Sequence, residues 1–109
     1  MDTQLPMVYF ITTPDKKTAL ELANVLVKKK IVACANIIEN ITSVYWWEDK
    51  INTDQECIMV VKTVKNQSDT LIEYVQNIHP YEVPECIGIN IAKGSKPYQQ
   101  WIVDSTKED

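Results

Sequence analysis

Residues 41–64, ITSVYWWEDKINTDQECIMVVKTV, predict a long antiparallel β-hairpin. Bulky apolar and aromatic side chains alternate onto both faces of its first strand, residues 41–47, so neither face can be left fully in water. A polar turn at 48–50 leads into the returning strand, residues 57–64. The apolar tip, with two adjacent tryptophans, is more surface than a soluble monomer leaves open. The hairpin therefore either binds something large or packs against copies of itself.

Shorter elements flank this hairpin. Residues 7–12 are rich in β-formers and predict a buried strand. Thr13 and Pro14 then predict a helix start, with the threonine hydroxyl as N-cap and the proline at the first helical position. The remaining predictions, in chain order, are a strand over 31–38, a helix over 66–78 capped by Ser68 or Asn66, a strand over 86–92 and a last helix over 95–104.

This order of elements, β-α-β-β-α-β followed by a C-terminal helix, predicts an α+β fold of the ferredoxin-like type. Right-handed crossovers place four antiparallel strands in one sheet with the first two helices on one face. We expect a single domain over residues 1–109, with flexible ends at 1–6 and 105–109. The other face of the sheet has no helix from the early chain, which again favours packing between copies, with the terminal helix as a clasp.

Composition excludes several classes of function. The net charge of −4 argues against a nucleic-acid partner, since phosphate binding needs a basic surface. The chain has three cysteines without C-x-x-C spacing, which disfavours disulfides and structural zinc and favours reduced thiols in the cytoplasm. No apolar run is long enough to span a membrane, and no secretory signal is visible. The chain is long enough to form a hydrophobic core, so we expect that its folding requires no cofactor.

The segment HPYEVPE, residues 79–85, is the main candidate for a binding loop. It holds the only histidine, His79, beside Tyr81 and two carboxylates, and its prolines stiffen both ends. Loops often display binding groups, although prolines also serve simply to shape a tight connection. Lys62 is the second unusual residue, because it lies in step with apolar positions of its strand. Such a lysine either reaches the sheet edge or meets a buried acid or an anionic ligand.

Taken together, these segments resemble the CutA divalent-cation-tolerance family from Val8 to Trp101. The matching segments are 12–15 (TTPD), 33–36 (ACAN), 43–48 (SVYWWE), 62–63 (KT), 79–81 (HPY), 84–85 (PE), and Tyr98 with Trp101. Their order and spacing are more specific than any one of them. The resemblance implies a ferredoxin-like subunit assembled as a homotrimer through its hairpins, similar to the PII signalling proteins.

The resemblance also implies a cleft between subunits that binds a metal ion or a small anion. Its lining residues would be Cys34, Lys62, His79, Tyr81, Glu85, Tyr98 and Trp101. The thiol of Cys34 and the imidazole of His79 suit a soft or borderline divalent metal such as copper. Each also has a purely structural interpretation: Cys34 as a thiol packed in the core, and His79 as a hydrogen-bonding group at the end of a helix. The trimer interface would include the hairpin aromatics Tyr45, Trp46 and Trp47.

The chain departs from copper-binding members of the family at two positions. Ile11 and Ile78 stand where some members have a cysteine and a second histidine, so two soft donors are missing. Three hypotheses follow for this chain. It is a trimer linked to metal tolerance, an enzyme with Cys34 as nucleophile and His79 as base, or a signalling trimer that acts through protein partners. We favour the first and expect no catalytic residue.

Overall fold

The computed structural model describes residues 4–107. Its elements, in chain order, are β1 (Pro6–Thr13), α1 (Lys16–Lys28), β2 (Cys34–Trp47), β3 (Lys50–Val64), α2 (Ser68–Ile78), β4 (Cys86–Asn90) and α3 (Lys96–Ser105). The four strands form one sheet in the order β2-β3-β1-β4, and every neighbouring pair is antiparallel. This arrangement confirms the predicted ferredoxin-like α+β fold with a C-terminal helix.

The long hairpin closes in a tight turn of two residues, Glu48 and Asp49. Trp47 pairs with Lys50 across the turn. Glu48 and Asp49 both have positive φ, 51° and 62°. Two left-handed residues in succession make a turn whose twist matches that of the strands, and aspartate tolerates this conformation better than most side chains. The polar sequence of this turn therefore suits the geometry that the hairpin requires.

Residues 31–38 and 41–47, predicted as separate runs, belong largely to one strand. β2 runs without a break from Cys34 to Trp47, and its pairing with β3 shifts between Ile38 and Ile41. The shift is a β-bulge, which bends a strand and increases its twist. The bulge lets one 14-residue strand serve both the body of the sheet and the projecting arm.

The core lies between one face of the sheet and the first two helices. Its buried members include Tyr9 and Ile11 of β1, Cys57, Met59 and Val61 of β3, Ala19, Leu22 and Leu26 of α1, and Leu71 and Val75 of α2. Alternate residues of a strand point to the same face. Since α1 and α2 share one cluster with these odd-numbered strand positions, both helices cover the same face of the sheet.

Several element ends differ from the prediction by a few residues. α1 starts at Lys16, because the Asp15 carboxylate, and not the Thr13 hydroxyl, caps it by accepting from Thr18 N at 2.8 Å. Thr13 instead donates to the Asp15 carbonyl. α2 starts at Ser68 after a short 3-10 turn and has no side-chain cap. Carboxylates and hydroxyls are both good N-caps, so sequence alone does not choose between neighbouring candidates.

The second face of the sheet, called the open face below, is covered only at one end. Register and strand alternation place on it Val8, Phe10, Cys34, Asn36, Ile38, Ile58, Val60, Lys62, Ile87 and Ile89. α3 covers one end of the molecule, where Ile102 is fully buried beside Ala33 and Val64. Elsewhere Ile38, Ile87 and Ile89 are 52%, 61% and 58% exposed. A single subunit thus leaves a broad apolar surface uncovered.

The chain ends are partly described. Of the predicted flexible ends, 1–6 and 105–109, residues 1–3 and 108–109 lie outside the described residues. Pro6 is the first residue of β1 and pairs with Val64, while Thr106 is buried and donates to the Ile102 carbonyl at 3.0 Å. None of the helices within residues 4–107 has both the length and the apolar character needed to cross a membrane.

Candidate functional site

The residues predicted to line one cleft form two separate groups in the subunit. The first group, the lysine end, comprises Cys34, Asn36, Lys62, Tyr98 and Trp101. The second, the histidine end, comprises Thr12, Glu56, His79, Tyr81 and Glu85. Lys62 and Ile58, the partner of Thr12, are four residues apart on β3, which is about 13 Å. Within one subunit the predicted lining residues therefore do not form a single cleft.

Strand pairing builds the lysine end. Cys34 of β2 lies directly opposite Lys62 of β3, so both side chains stand on the open face. The Lys62 ammonium donates a short hydrogen bond to Asn36 Oδ1 on the neighbouring strand. Within residues 4–107, Lys62 forms no ion pair with a carboxylate. We predicted that Lys62 either reaches the sheet edge or meets a buried acid or an anionic ligand. In the subunit its partner is instead the Asn36 side-chain amide on the same face of the sheet.

Helix α3 supplies the aromatic wall of the lysine end. Tyr98 OH lies 3.7 Å from Cys34 Sγ, and the Tyr98 and Trp101 rings stack at 5.4 Å with a tilt of 33°. The helical spacing i, i+3 puts both rings on the same side of α3. The hydrogen bond to Cys34, followed by partial burial, raises the pKa of Tyr98 above its usual value, so the phenol stays protonated. Both rings remain close to half exposed.

At the histidine end, the His79 side chain hydrogen-bonds to two backbone segments and so links them. Its Nε2 lies 2.7 Å from the Thr12 carbonyl oxygen, and its Nδ1 accepts from Tyr81 N at 3.1 Å. Because a carbonyl only accepts, Nε2 must carry the proton and the ring is neutral. The side chain is 8% exposed. Both ring nitrogens are therefore engaged, and the prediction of His79 as a metal ligand does not agree with this geometry.

A buried carboxylate completes the histidine end. Glu56, 8% exposed, accepts a hydrogen bond of 2.5 Å from Tyr81 OH. Desolvation and this hydrogen bond raise the pKa of Tyr81 well above its usual value, so the phenol remains a donor. Tyr45 of the hairpin donates in the same way to Asp54, which raises the pKa of Tyr45. Two carboxylates on β3 are thus each held by a phenol.

A groove of about 870 Å³ runs between the hairpin arm and the loop after α2. Tyr45, Trp46 and Trp47 form one wall, and Tyr81, Glu82 and Glu85 lie along the other. Glu85 is exposed and borders this groove, whose lining includes no residue of the lysine end. Trp46 is 71% exposed, so the groove is bordered by apolar surface that one subunit does not cover.

The donors present do not fit a copper site within one subunit. Cys34 lies beside Lys62 and Tyr98, whereas His79 lies beside Thr12, four residues along β1 from Val8, the partner of Lys62, and both nitrogens of His79 are engaged. Among residues 4–107, no group of three or more His, Cys, Asp or Glu side chains is arranged to hold a metal ion. The same separation argues against Cys34 and His79 as a nucleophile and base of one subunit, because such a pair must lie within hydrogen-bond reach.

Sequence reasoning missed three contributors to these groups. Asn36 and Glu56 are ordinary polar residues of strands, and their roles depend on side chains 26 and 25 positions away. Thr12 contributes only its carbonyl oxygen, which no pattern of side chains reveals. For Asn36, its place two residues after Cys34 on the same strand face was the one available signal.

The comparisons with known proteins concern nearly the whole chain. Residues 7–105 match the family model described as CutA1 divalent ion tolerance protein. The protein named CutA 1, chloroplastic, of Oryza sativa is 40% identical over 102 residues, 94% of this chain and 58% of the rice protein. The divalent-cation tolerance protein CutA of Thermus thermophilus is 37% identical over 99 residues, which are 91% of this chain and 96% of that protein.

Solved structures agree with the sequence matches. The crystal structure of CutA1 from Oryza sativa covers 100% of both chains at 38% identity, with a TM-score of 0.93. The chain spans 58% of the rice protein and 55% of the mouse and human proteins named CutA. The likeness therefore covers all the elements that build the two groups, and only part of the longer relatives.

Proposed function

The chain belongs to the CutA1 divalent ion tolerance family, and on that premise we propose that it works as a PII-like homotrimer in the tolerance of, or response to, divalent metal ions such as copper. We further propose that a ligand cleft lies between neighbouring subunits. The cytoplasm is the proposed location, because Cys34, Cys57 and Cys86 are free thiols, which suit a reducing compartment.

The observation that carries this proposal is the uncovered apolar surface. On the hairpin, Val44, Trp46 and Ile51 are 66%, 71% and 65% exposed. On the open face, Ile87 and Ile89 are 61% and 58% exposed. Large contiguous apolar patches mark interaction sites in soluble proteins, and closed symmetry lets one patch be covered by copies of the same chain. Packing between copies accounts for both surfaces without a second kind of partner.

The separation of the lysine end from the histidine end supports a cleft between subunits. In one chain the two ends lie about 13 Å apart along the strands, too far for a small ligand to touch both. A cyclic assembly repeats one heterologous contact, so it can bring the lysine end of each copy towards the histidine end of the next. The proposed cleft residues are then Cys34, Lys62, Tyr81, Glu85, Tyr98 and Trp101, with His79 holding the loop in place.

The proposed role in metal tolerance rests on the family, and not on a metal site in the subunit. We therefore assign neither His79 nor Cys34 as a copper ligand. Copper tolerance by direct chelation would need donors contributed by several copies, such as a thiol from one and a carboxylate from the next. Sensing through the assembled cleft does not require such a set of metal ligands.

The test combines solution size with copper tolerance in cells. Light scattering of the purified chain should give three times the subunit mass. Expression in a copper-sensitive bacterial host should extend growth to higher copper, and Trp46→Glu, which places a charge on the proposed interface, should abolish both results. Leu20→Ala, on the exposed side of α1, is the matched control and should preserve both. A monomeric wild-type chain, or full tolerance from a monomeric Trp46→Glu variant, would contradict the proposal.

A further inference from the structure

The lysine end has the composition of an anion site. The Lys62 ammonium donates to Asn36 Oδ1, and Cys34, opposite Lys62 on the next strand, lies with its Sγ 3.7 Å from Tyr98 OH. The apolar neighbours on the open face are Val8 and Val60. We propose that the lysine end binds a carboxylate, in the form of a small organic anion with an apolar or aromatic body. This inference deepens the proposed function, on which it rests for the cleft, by naming the chemical class of its ligand.

The charge of Lys62 has no carboxylate partner among residues 4–107. Lys62 is partly buried and lies between Val8 and Cys34 on adjacent strands, with Val60 next to it on the same face. Other lysines do find carboxylates, since Lys16 and Lys107 form ion pairs of 3.4 Å. A partly desolvated ammonium whose only described partner is an amide oxygen gains most from an anion. A divalent cation at the same place would be repelled.

Asn36 and Tyr98 place further hydrogen-bonding groups beside this charge. Asn36 uses its oxygen on Lys62, which leaves the amide N–H₂ group available as a donor. Either atom of the 3.7 Å contact between Tyr98 OH and Cys34 Sγ can be the donor, so the phenol can accept from the thiol and turn its own proton towards a ligand. The cross-strand position of Cys34 opposite Lys62 adds a thiol to the same surface. An ammonium, an amide and a phenol on one small patch match the acceptor oxygens of a carboxylate.

The aromatic rings of α3 offer a surface for the body of the ligand. The Tyr98 and Trp101 rings stack beside the polar groups and are 44% and 43% exposed. Half-exposed rings next to an ammonium offer apolar contact to whatever carries the carboxylate. Benzoate should therefore bind more tightly than acetate, and both more tightly than chloride at the same ionic strength. A preference for inorganic phosphate over benzoate would contradict the proposal that the ligand has an apolar or aromatic body.

Calorimetric titration of the assembled protein with benzoate, acetate and phosphate tests the proposal. Lys62→Gln should weaken benzoate binding by about tenfold or more, because it removes the charge-assisted bond. Lys62→Arg should retain most of the affinity. Lys65→Gln, an exposed lysine just beyond β3, is the matched control and should leave binding unchanged. Equal benzoate affinity in wild type and Lys62→Gln would overturn the inference.

Thiol labelling gives a second measurement of binding that does not rely on the heat measured by calorimetry. Cys57 is 4% exposed, and burial, with the nearby Glu85 charge, raises the pKa of Cys86 to about 11. Cys34 should therefore react first with a disulfide reagent such as DTNB, and Cys34→Ser should remove that phase. Benzoate should slow the Cys34 phase in wild type and not in Lys62→Gln. An unchanged rate at saturating benzoate would count against the site.

The same carboxylate chemistry could come from a neighbouring copy. If the exposed Glu82 or Glu85 of one subunit reaches Lys62 of the next, free benzoate will bind only when these carboxylates are neutralised. Benzoate binding that appears in a Glu82→Gln/Glu85→Gln variant, and not in wild type, would assign the carboxylate to the neighbour. Absence of binding in both proteins, with trimers confirmed by light scattering, overturns this inference alone. A monomer that binds benzoate through Lys62 overturns the trimer instead.

Discussion

Truncation of Trp46 should disrupt assembly while leaving the subunit folded. Trp46 lies near the tip of the hairpin, directly opposite Ile51, and both side chains are largely exposed, at 71% and 65%. A side chain that contributes little buried surface within the subunit contributes little to its folding. Trp46→Ala should therefore act almost entirely on contacts between copies.

The size of the effect follows from the exposed area. A tryptophan side chain buries up to about 250 Å², so 71% exposure leaves about 180 Å² for assembly to cover. At about 25 cal/mol per Å², full coverage is worth ~4.5 kcal/mol per subunit, and half coverage ~2 kcal/mol. Half coverage therefore gives ~6 kcal/mol per trimer, or a change on the order of 10⁴ in the equilibrium constant. Since the midpoint concentration of a monomer–trimer equilibrium varies as the square root of that constant, it should rise about 100-fold.

Sedimentation velocity over a wide range of concentrations measures this midpoint directly. Far-ultraviolet circular dichroism of the dilute monomer should show that Trp46→Ala keeps the native secondary structure. Leu20→Ala is the control, because Leu20 is 43% exposed but lies on α1, in the helical layer on the other side of the sheet. Equal midpoint concentrations for Trp46→Ala, Leu20→Ala and wild type would refute a role of Trp46 in contacts between copies.

Three further substitutions test the contacts within the subunit. His79→Ala should lower the free energy of unfolding by about 1–3 kcal/mol, because it leaves the Thr12 carbonyl without its partner; urea denaturation measures this. Gly88→Ala should cost about 1–3 kcal/mol, since an added Cβ would lie 2.4 Å from the Tyr9 ring. The raised pKa of Tyr81 means that its contribution is fully present below its ordinary pKa of 10.0 and is lost as pH rises through the higher folded value. Tyr81→Phe should therefore flatten the alkaline fall in stability.

Each of these substitutions has its own control or opposing outcome. For Gly88→Ala the control is Gly94→Ala, whose Cβ would meet only the flexible Gln99 side chain at 3.1 Å, so its stability should stay close to that of wild type. Equal losses at both glycines would show that close approach to the ring is not the cause. A His79→Ala variant with wild-type stability would show that the hydrogen bond from His79 to the Thr12 carbonyl does not stabilise the fold. An alkaline profile that is unchanged in Tyr81→Phe would assign that fall to other groups.

Much of the fold could be predicted because local signals agreed with each other. Alternating bulky residues on both faces indicated the long hairpin, and helical spacing of Ala19, Leu22 and Leu26 indicated the inner side of α1. The ends of elements were less predictable, as the cap at Asp15 shows, because adjacent residues offer equivalent hydrogen-bonding groups. The bulge that makes one strand of residues 34–47 leaves no comparable local pattern.

The arrangement of the candidate residues could not be predicted from the sequence. Unusual chemistry marked Cys34, Lys62 and His79, and family resemblance grouped them in one cleft. The register of the sheet instead places Cys34 opposite Lys62, while His79 bonds to Thr12, four residues along β1 from Val8, the partner of Lys62. The roles of Asn36 and Glu56 come from partners distant in the chain, which residue types do not disclose.

The sequence by itself determined which segments form strands and helices, the order in which they occur and the apolar excess of the hairpin. These are properties of neighbouring residues, whose spacing and conformational preferences act locally. Only the tertiary structure decided that His79 binds the backbone through both ring nitrogens, that the Lys62 ammonium meets an amide and no carboxylate, and that Glu56 is buried beneath a phenol. The physical reason is that hydrogen bonding and burial depend on which strands become neighbours, and that is set by the packing of the whole chain.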